Sequence, residues 1–362
     1  MTYLIPSVVS FVVCFLVLRR LLHGRLATTT LDQPNHRSLH ATPTPRIGGI
    51  GVLAGILGGS MLIGGVPLLL LALLLLLGGF CFLDDRFGLS AALRLPVHLI
   101  VAAVWVISMA TVGADVATDE PPGAGKNPAL FAVDALQQGS RAIDAFLAVA
   151  DGGTTNWPLL VGLTLALGWM MNLYNFMDGT NGLAGGMAVF GFGAYGVAAT
   201  LAGQPVLAAL AFVVTAAALA FLIFNFDPAR VFLGDVGSIP LGFLAGALGL
   251  WGWQATAWPV WFALLVFSPF IVDATVTLLR RTLRGQKVWL AHHDHAYQRL
   301  VRSGWSHRRL ALTAYGLMAA CAASALVFRT MNAALVTVGL TFWVVIYVAL
   351  LFAVVRRWRK KK

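Results

Sequence analysis

Long apolar runs, separated by short polar segments, account for most of this chain. Each run holds roughly 17–24 mostly apolar residues, which is enough for one helical crossing of a bilayer. The pattern therefore predicts an all-α polytopic membrane protein with about eleven transmembrane helices. The predicted spans are residues 3–21, 47–65, 67–83, 94–113, 157–177, 183–202, 205–224, 238–254, 257–279, 310–328 and 332–355.

The basic residues predict how these spans are oriented. With the N-terminus outside and the C-terminus in the cytoplasm, only Lys126, Arg141 and Arg329 of the 25 Lys and Arg residues lie outside. Lys and Arg concentrate on the cytoplasmic side of membrane proteins, so this partition favours that orientation. The first span has no basic stretch before it and is followed by Arg19 and Arg20, which argues against a cleaved signal peptide.

The one long outer segment spans residues 114–156 and carries more acidic than basic residues. Within it, Asn127 followed by Pro128 is typical of a helix cap and first turn, and scattered apolar residues come next. We interpret this part as an interfacial helix on the outer leaflet. No internal repeat or separate soluble domain is visible, so residues 1–362 are predicted to form one integral membrane domain with this insert.

Composition supports a membrane protein and limits the other possibilities. The chain is 59% hydrophobic and 11% charged, with a mean hydropathy of +0.83, whereas a soluble protein carries about a quarter charged residues. Its formal charge of +11 lies beside apolar spans, where it meets anionic lipid, and there is no soluble basic domain for nucleic acid. Cys14, Cys81 and Cys321 lie inside apolar runs and predict packing, not disulfides.

The most polar stretch at the end of a predicted span is N-L-Y-N-F-M-D-G-T-N-G-L. Asn172, Asn175 and Asp178 recur at every third residue, so on a helix they lie on one side. Asn181 follows among residues that permit tight turns. A carboxylate and amides at the mouth of a membrane helix are costly unless something polar binds there. The alternative is a polar helix end that simply faces water.

Three more carboxylates fall on the same predicted cytoplasmic side. Asp84 and Asp85 follow the third span, and Asp235 lies between glycines just before the eighth. Carboxylate oxygens suit Mg²⁺, with Mn²⁺ as a second option, and they suit zinc less well. Asp235 is the predicted metal ligand, because the helix N-terminus beside it also favours a phosphate. The alternatives are a solvated pair of Asp85 with Arg86 and a chance Gly-Asp turn.

The remaining cluster is H-H-D-H, in the large loop after the ninth span. His292, His293 and His295 could bind zinc, but no further Cys or His stands out as a ligand. His295 and Arg299 lie four residues apart on a predicted short helix, whose cationic face suits phosphates or is simply solvated. Asp273, inside the ninth span, has either a structural or a catalytic role.

At these motifs the chain resembles the polyprenyl-phosphate N-acetylhexosamine-1-phosphate transferase superfamily of glycosyltransferase family 4. Asn181 stands where many members have Asp, and H-H-D-H replaces the H-H-H of the pentapeptide transferases. The chain looks closer to the enzymes that initiate O-antigen synthesis. The resemblance covers most of the chain, through the motifs D-Q-P-N-H-R-S-L-H-A-T-P-T-P-R-I-G-G, D-D-R-F-G-L-S, N-L-Y-N-F-M-D-G-T-N-G-L, V-F-L-G-D-V-G-S and H-H-D-H-A-Y-Q-R-L.

This resemblance implies an activity and its site. The reaction would move an N-acetyl-amino-sugar-1-phosphate from a UDP-amino-sugar to undecaprenyl phosphate and release UMP, on the cytoplasmic face of the bacterial inner membrane. It implies Mg²⁺ at Asp235 and an enzyme surrounded by membrane lipid. Whether the enzyme forms a homodimer is left open. The implied catalytic residues are Asp84, Asp85 and Asp178. The implied substrate-binding residues are Asn172, Asn175, Asn181, His292, His293, His295 and Arg299.

Two other classes of protein also place acidic residues in apolar chains. An intramembrane prenyltransferase uses Mg²⁺ and paired D-x-x-x-D clusters, and the spacing in D-D-R-F-G and G-D-V-G differs from that pattern. A transporter would carry its polar residues near the middle of its spans, whereas here they collect at the predicted cytoplasmic ends. Both alternatives are less favoured than the transferase.

Overall fold

The structure is a computed structural model in which most described residues are helical. The described residues are 2–34, 39, 42–115, 156–287 and 292–361. The predicted interfacial helix of the outer segment lies outside these residues and stays a prediction.

The described elements follow one another in the order of the chain. They are α1 (Leu4–Leu22), α2 (Arg25–Thr29), β1 (Leu31–Asp32), β2 (Thr44–Pro45), α3 (Gly48–Ser60), α4 (Leu68–Phe87), α5 (Ala91–Asp115), α6 (Trp157–Phe176), α7 (Leu183–Leu201), α8 (Pro205–Asn225), α9 (Asp235–Gln254), α10 (Val260–Val266), α11 (Ser268–Thr282), α12 (Ala296–Arg302), α13 (His307–Phe328) and α14 (Ala333–Lys361). β1 and β2 pair antiparallel, with Leu31 opposite Pro45.

The all-α polytopic architecture is confirmed. Among the described residues, nine helices are long and apolar enough to cross a bilayer, and the bent pair α10–α11 brings the total to ten. The predicted second span, 47–65, is only the 13-residue helix α3. At about 1.5 Å per residue, α3 is shorter than the roughly 30 Å hydrocarbon core, and its chain turns at Met61. The number of full crossings therefore does not confirm the predicted eleven.

The predicted ninth span, 257–279, is also not one straight helix. It consists of α10 and α11, whose axes bend by 80° at Phe267. Pro269 occupies the first turn of α11, where its missing N–H costs nothing but where it cannot continue the preceding helix. The bend matters for function because it directs α11, with Asp273, toward the segment that begins at residue 292.

Three helices form the centre of the bundle. The buried shares of α7, α8 and α9 are 72%, 67% and 78%, whereas α14 is only 6% buried. α7 packs along α8, and α9 packs on α4 and α6. Small residues line these contacts, so the helix axes can approach closely. A close approach also joins Gly49 of α3 to Gly237 of α9, where a Cβ on either glycine would overlap the backbone of the other.

Backbone hydrogen bonds beside this approach bring two distant segments together. The N–H groups of Gly48 and Gly49 donate to the carbonyls of Phe232 and Leu233, each at 2.8 Å. The N–H of Phe232 in turn donates to the carbonyl of Pro45 at 2.9 Å. These bonds satisfy N–H groups at the start of α3 that have no partner within the helix. They also hold the segment containing Arg46 against the start of α9.

Candidate active site

A polar cavity of about 280 Å³ lies where several helices end or begin. It adjoins the end of α6 and α8 and the start of α7, α9 and α13, so residues far apart in the sequence meet there. Polar and charged groups predominate in its wall, in contrast to the apolar interior of the bundle. The lining residues are Asp32, Leu39, Arg46, Asn175, Asp178, Gly179, Thr180, Asn181, Asn225, Phe232, Gly234, Asp235, Gln298 and His307.

Asp235 enters this cavity as the first residue of α9. Gly234 before it has a φ of 71°, a left-handed conformation that favours glycine and lets the chain turn sharply into the helix. The Asp235 side chain is 20% exposed. Its carboxylate lies 3.7 Å from the Arg94 guanidinium, which also donates to Asp84 at 3.3 Å. One arginine therefore bridges the end of α4 and the start of α9.

The adjacent carboxylates Asp84 and Asp85 lie in the last turn of α4 and have different surroundings. Asp84 is buried, and its Oδ1 accepts a hydrogen bond from the N–H of Leu89 at 2.8 Å. Asp85 reaches the first turn of α9, where its Oδ2 accepts from the N–H of Val236 at 3.3 Å. Neither side chain lines the cavity directly. Asp84 closes the turn after α4, whereas Asp85 lies against the helix that carries Asp235.

Asp178 follows the end of α6, and the negative charges of other carboxylates affect its pKa. Burial raises its pKa well above the usual value, and the negative charges of Asp235 and Asp85 raise it further. Arg46 and a hydrogen bond from the N–H of Gly234 offset only part of this effect. The folded protein therefore holds several acidic groups near one another at an electrostatic cost that a bound cation would reduce.

The predicted amide residues fall into two groups. Asn175 and Asn181 line the cavity. Asn175 accepts a hydrogen bond from the Ser238 hydroxyl at 3.1 Å, and Asn181 donates to Asp227 at 2.8 Å. Asn172 does not line the cavity, because its amide donates at 2.8 Å to a carbonyl of its own helix, one turn earlier. The expected common face of α6 thus brings Asn175, but not Asn172, to the cavity.

The histidine-containing segment packs against the end of α6. His295 is buried and stacks on Phe176, with ring centroids 6.1 Å apart. The Tyr297 hydroxyl donates to the carbonyl of Phe176 at 3.0 Å. Among the described residues of this segment, only Gln298 lines the polar cavity. The segment therefore lies beside the cavity wall, because it packs against Phe176, two residues before Asp178.

Asp273 fixes the start of α12, which answers the question left open by the sequence. Its carboxylate accepts hydrogen bonds from the N–H groups of Ala296 at 2.7 Å and Tyr297 at 3.1 Å. It also accepts from the Thr277 hydroxyl at 3.2 Å, and the His295 ring lies 3.5 Å away. A carboxylate at a helix N-terminus satisfies N–H groups that lack partners in the helix. Asp273 therefore caps α12 from the bent helix α11.

The predicted cationic face of α12 is largely engaged with protein groups. Arg299 is buried and donates to Asp294 at 3.1 Å, and Arg281 donates to the same carboxylate at 2.5 Å. Partial burial alone would raise the pKa of Asp294, but the Arg281 hydrogen bond and the Arg299 charge outweigh it and lower that pKa. In this structure, Arg299 stabilises the segment and does not reach the polar cavity.

His292 and His293 stand at the first described positions after residue 287. The His292 ring lies 4.9 Å from the ring of His295, measured between centroids. Burial lowers the pKa of His292 to about 4, and the neighbouring His295 and Arg281 contribute further. His292 is consequently neutral at neutral pH and can interact with a phosphate through a hydrogen bond but not as a cation.

The donor chemistry of the cavity fits a hard divalent cation. Asp178 and Asp235 offer carboxylate oxygens in its wall, and Asn175 adds an amide oxygen. No three His, Cys, Asp or Glu side chains in the described part of the chain are grouped so that they alone could hold a metal ion. Mg²⁺ commonly takes one or two carboxylates from a protein and completes its shell with water and substrate phosphates.

Several residues at the site were not among those predicted from the sequence. Arg46 lies in the cavity wall and pairs with Asp32 at 2.8 Å. His307 begins α13, and its ring lies 3.0 Å from the carbonyl of Leu39. Asp32 and Arg46 both belong to the motif D-Q-P-N-H-R-S-L-H-A-T-P-T-P-R-I-G-G, so the sequence did contain a signal for this ion pair. His307 and Arg94 are more ordinary members of basic helix flanks, so their sequence contexts gave no such signal.

Comparison with known proteins identifies relatives across most of the chain. A probable undecaprenyl-phosphate N-acetylglucosaminyl 1-phosphate transferase of Bacillus subtilis is 29% identical over 307 residues, covering 83% of this chain and 77% of that protein. A decaprenyl-phosphate N-acetylglucosaminephosphotransferase of Mycobacterium tuberculosis is 29% identical over 381 residues, covering 93% and 85%. A phospho-N-acetylmuramoyl-pentapeptide-transferase of Shouchella clausii is 28% identical over 302 residues, covering 77% and 81%.

The family profile described as glycosyl transferase family 4 matches residues 67–252, which is more than half of the chain. The match begins before α4 and ends within α9, so it includes Asp84, Asp178 and Asp235. Together with the relatives, it confirms the resemblance seen in the sequence motifs. The chain belongs to glycosyl transferase family 4, within the superfamily of polyprenyl-phosphate N-acetylhexosamine-1-phosphate transferases.

Proposed function

We propose that this protein transfers an N-acetyl-amino-sugar-1-phosphate from a UDP-sugar to undecaprenyl phosphate and releases UMP. The product would initiate O-antigen or another cell-envelope polysaccharide. The observation that carries the proposal is a polar cavity, with several carboxylates around it, at the helix ends of an apolar bundle. At the helix ends, the phosphate head of a membrane-embedded lipid can contact a water-soluble nucleotide. The names of the relatives support the same class of reaction.

The chain supplies both charge and alignment for this reaction. Arg46 in the cavity wall, and Arg94 beside Asp235, are the cations available to the phosphates. Exchange of one phosphoanhydride for another requires the reacting groups to be aligned and their developing charge to be neutralised. We assign Asp84 or Asp85 to positioning the acceptor phosphate, or to accepting its remaining proton.

Asp235 is the residue to which we assign Mg²⁺, with Asp178 and Asn175 nearby in the same wall. When bound, the ion would neutralise charge on the donor diphosphate as a Lewis acid. The protein's part is to hold these oxygens in place, through Gly234 before Asp235 and through Ser238, which donates to Asn175. Mn²⁺ has the same preference for oxygen ligands and would serve as a substitute.

We propose direct attack by the lipid phosphate on the donor. An oxygen of the lipid phosphate forms a bond to the sugar-bearing phosphorus of the UDP-sugar. The bond from that phosphorus to the bridging oxygen breaks, and its electron pair leaves with UMP. The alternative uses Asp84 or Asp85 as a nucleophile and forms an aspartyl-phosphosugar. In that case, lipid-free enzyme would exchange labelled UMP into UDP-sugar. Rapid exchange that Asp84→Asn or Asp85→Asn abolishes would exclude direct attack.

The function is tested with purified protein, UDP-N-acetylglucosamine and undecaprenyl phosphate. UMP is expected only when both substrates are present, together with a lipid product that carries the sugar phosphate. A prenyltransferase would instead consume a prenyl diphosphate without UDP-sugar, and a transporter would release no UMP. If several UDP-amino-sugars all give no lipid-dependent UMP from folded protein, the proposal is wrong.

We also propose that the cavity faces the cytoplasm, on the basis of the distribution of Lys and Arg. Single cysteines at positions 140 and 303, in a chain without other cysteines, can be probed in intact cells with an impermeant thiol reagent. Position 140 should react and position 303 should stay unlabelled until the cells are opened. Labelling of position 303 alone would overturn this orientation.

A further inference from the structure

A second, larger cavity of about 580 Å³ lies between α11, α12, α13 and α14. It shares no lining residue with the polar cavity, and its wall is almost entirely apolar. At one end it reaches Met177 and Leu183, which flank the loop that carries Asp178. Its size falls in the range of ordinary ligand cavities, about 300–1,000 Å³. The lining also includes Trp305 and Arg357, whose side chains carry N–H donors.

Two arginines converge on the indole ring of Trp305. The guanidinium of Arg309 lies 4.4 Å from the ring centroid, and that of Arg357 lies 5.9 Å from it. The two charges come from different helices, α13 and α14, and like charges repel one another when they are brought together. No Asp or Glu among the described residues forms an ion pair with either arginine. The pair therefore has an excess of positive charge.

The polar groups around this pair include an unused hydrogen-bond donor. The indole N–H of Trp305 is buried and has no partner among the described residues. Arg357 donates to the carbonyl of Ser303 at 3.2 Å, and Lys361 donates to the carbonyl of Arg302 at 2.8 Å, which keeps the end of α14 beside α12. A buried donor without an acceptor is costly unless a ligand or water satisfies it.

We infer that this is a binding site for an anionic phospholipid, with the headgroup phosphate at Arg309 and Arg357 and an acyl chain in the apolar cavity. A guanidinium pair recognises phosphate, and an apolar chamber beside it recognises hydrocarbon, so one amphiphile satisfies both halves. Asp273, which also lines the cavity, does not oppose this assignment, because its carboxylate is committed to the N–H groups of α12.

The site is assigned to a phospholipid and not to the lipid acceptor because of its position. An acceptor must bring its phosphate to the carboxylates of the polar cavity. Arg357 lines the separate apolar cavity instead, and Arg309 contacts Trp305 in the wall of that same cavity. A bound acyl chain would pack against Met177 and Leu183 and thereby support the loop of Asp178. This inference does not depend on the proposed sugar-phosphate transfer, because it concerns binding alone.

The test is a titration of delipidated protein in neutral detergent with phosphatidylglycerol or phosphatidylcholine, with bound lipids counted by native mass spectrometry. The intact chain should bind phosphatidylglycerol preferentially. The double variant Arg309→Gln/Arg357→Gln should weaken that binding by roughly tenfold or more, since each basic residue near lipid contributes to affinity. Ala314→Phe, which fills the cavity and leaves both charges, should weaken it as well.

The matched control is Arg19→Gln/Arg20→Gln, which removes two exposed charges from the end of α1. It should leave phosphatidylglycerol binding unchanged in protein whose thermal melting is normal. Equal losses in both double variants would mean diffuse attraction to a basic surface and would overturn the site. Displacement of the lipid by inorganic phosphate alone would reassign it to a free anion. A raised KM for undecaprenyl phosphate in the Arg309 and Arg357 variant would reassign it to the acceptor.

Discussion

Two acidic regions lie close together in this protein and differ in how their charge is balanced. Around the polar cavity, Asp178 approaches other carboxylates, and its pKa is raised by burial and by the charges of Asp235 and Asp85. In the neighbouring histidine-containing segment, Asp294 is held between Arg281 and Arg299, and its pKa is lowered despite partial burial. In the first region Arg46 and Arg94 offset only part of the negative charge, whereas in the second the two arginines neutralise the carboxylate.

The difference distinguishes carboxylates whose charge is only partly neutralised from a carboxylate that is fully paired within the protein. A carboxylate whose charge is already paired has little left to offer a cation or phosphate. Carboxylates assembled with too few cations remain costly until a ligand arrives, which is typical of functional sites. The comparison therefore supports the proposed roles of Asp178 and Asp235. It assigns to Asp294 and Asp273 the task of holding α12 in place.

The largest expected effect on turnover comes from replacing one carboxylate in each region, in separate variants, by an amide. Asp235→Asn keeps the shape of the side chain but weakens metal binding, so turnover should fall by at least about 100-fold. Asp294→Asn should lower it by less than about tenfold, because the one remaining oxygen can still accept from Arg281 or Arg299, although not in place of both carboxylate oxygens. UMP release across a Mg²⁺ titration measures both. Near-normal turnover of Asp235→Asn at low Mg²⁺ would refute the metal assignment.

Asp273 should show the next largest effect, although it lies outside the polar cavity. Asp273→Ala removes an acceptor from two N–H groups at the start of α12, so the protein should lose about 1–3 kcal/mol of stability. Asp273→Asn keeps one acceptor oxygen and should recover part of this. Thermal melting in detergent measures the stability, and UMP release measures whether α12 still supports turnover. Full activity of a destabilised Asp273→Ala protein would show that α12 does not influence the site.

Much of this arrangement could be predicted from the sequence, and the exceptions have physical causes. Apolar runs identify membrane helices because burial in lipid depends on composition, and the positions of Asp84, Asp178 and Asp235 at helix ends follow directly. The 80° bend before α11 and the short α3 depend on tertiary packing, which a uniform apolar pattern does not report.

Side-chain partners were the least predictable feature. Periodicity places Asn172 and Asn175 on similar sides of α6, but whether an amide bonds to its own helix or to a neighbour is decided by local packing. Likewise, the predicted basic face did not reveal that Arg299 pairs with Asp294, or that Arg281 of α11 binds the same carboxylate. Spacing along one helix carries no information about the helix that will face it.

The two asparagines give a third prediction, with a smaller effect. Asn175→Ala removes a cavity-lining amide that accepts from Ser238, and turnover should fall by roughly tenfold. Asn172→Ala is the matched control, because it shortens the same side chain one turn earlier, where the amide bonds only to α6. Its turnover should change by less than about twofold. Equal losses of UMP release would mean that both amides serve the site.

The smallest expected effect is a pH dependence of stability at His292. Burial, with added repulsion from His295 and Arg281, lowers its pKa to about 4 in the folded protein, whereas an unfolded histidine titrates near 6.5. The unfolded chain therefore binds this proton at higher pH, and the folded protein loses stability as the pH falls from about 6.5 toward about 4. His292→Gln should flatten this part of the melting-temperature profile. His23→Gln, at an exposed position after α1, should leave the profile unchanged. Identical acid profiles for the intact protein and His292→Gln would show that this ring does not experience the burial and repulsion described above.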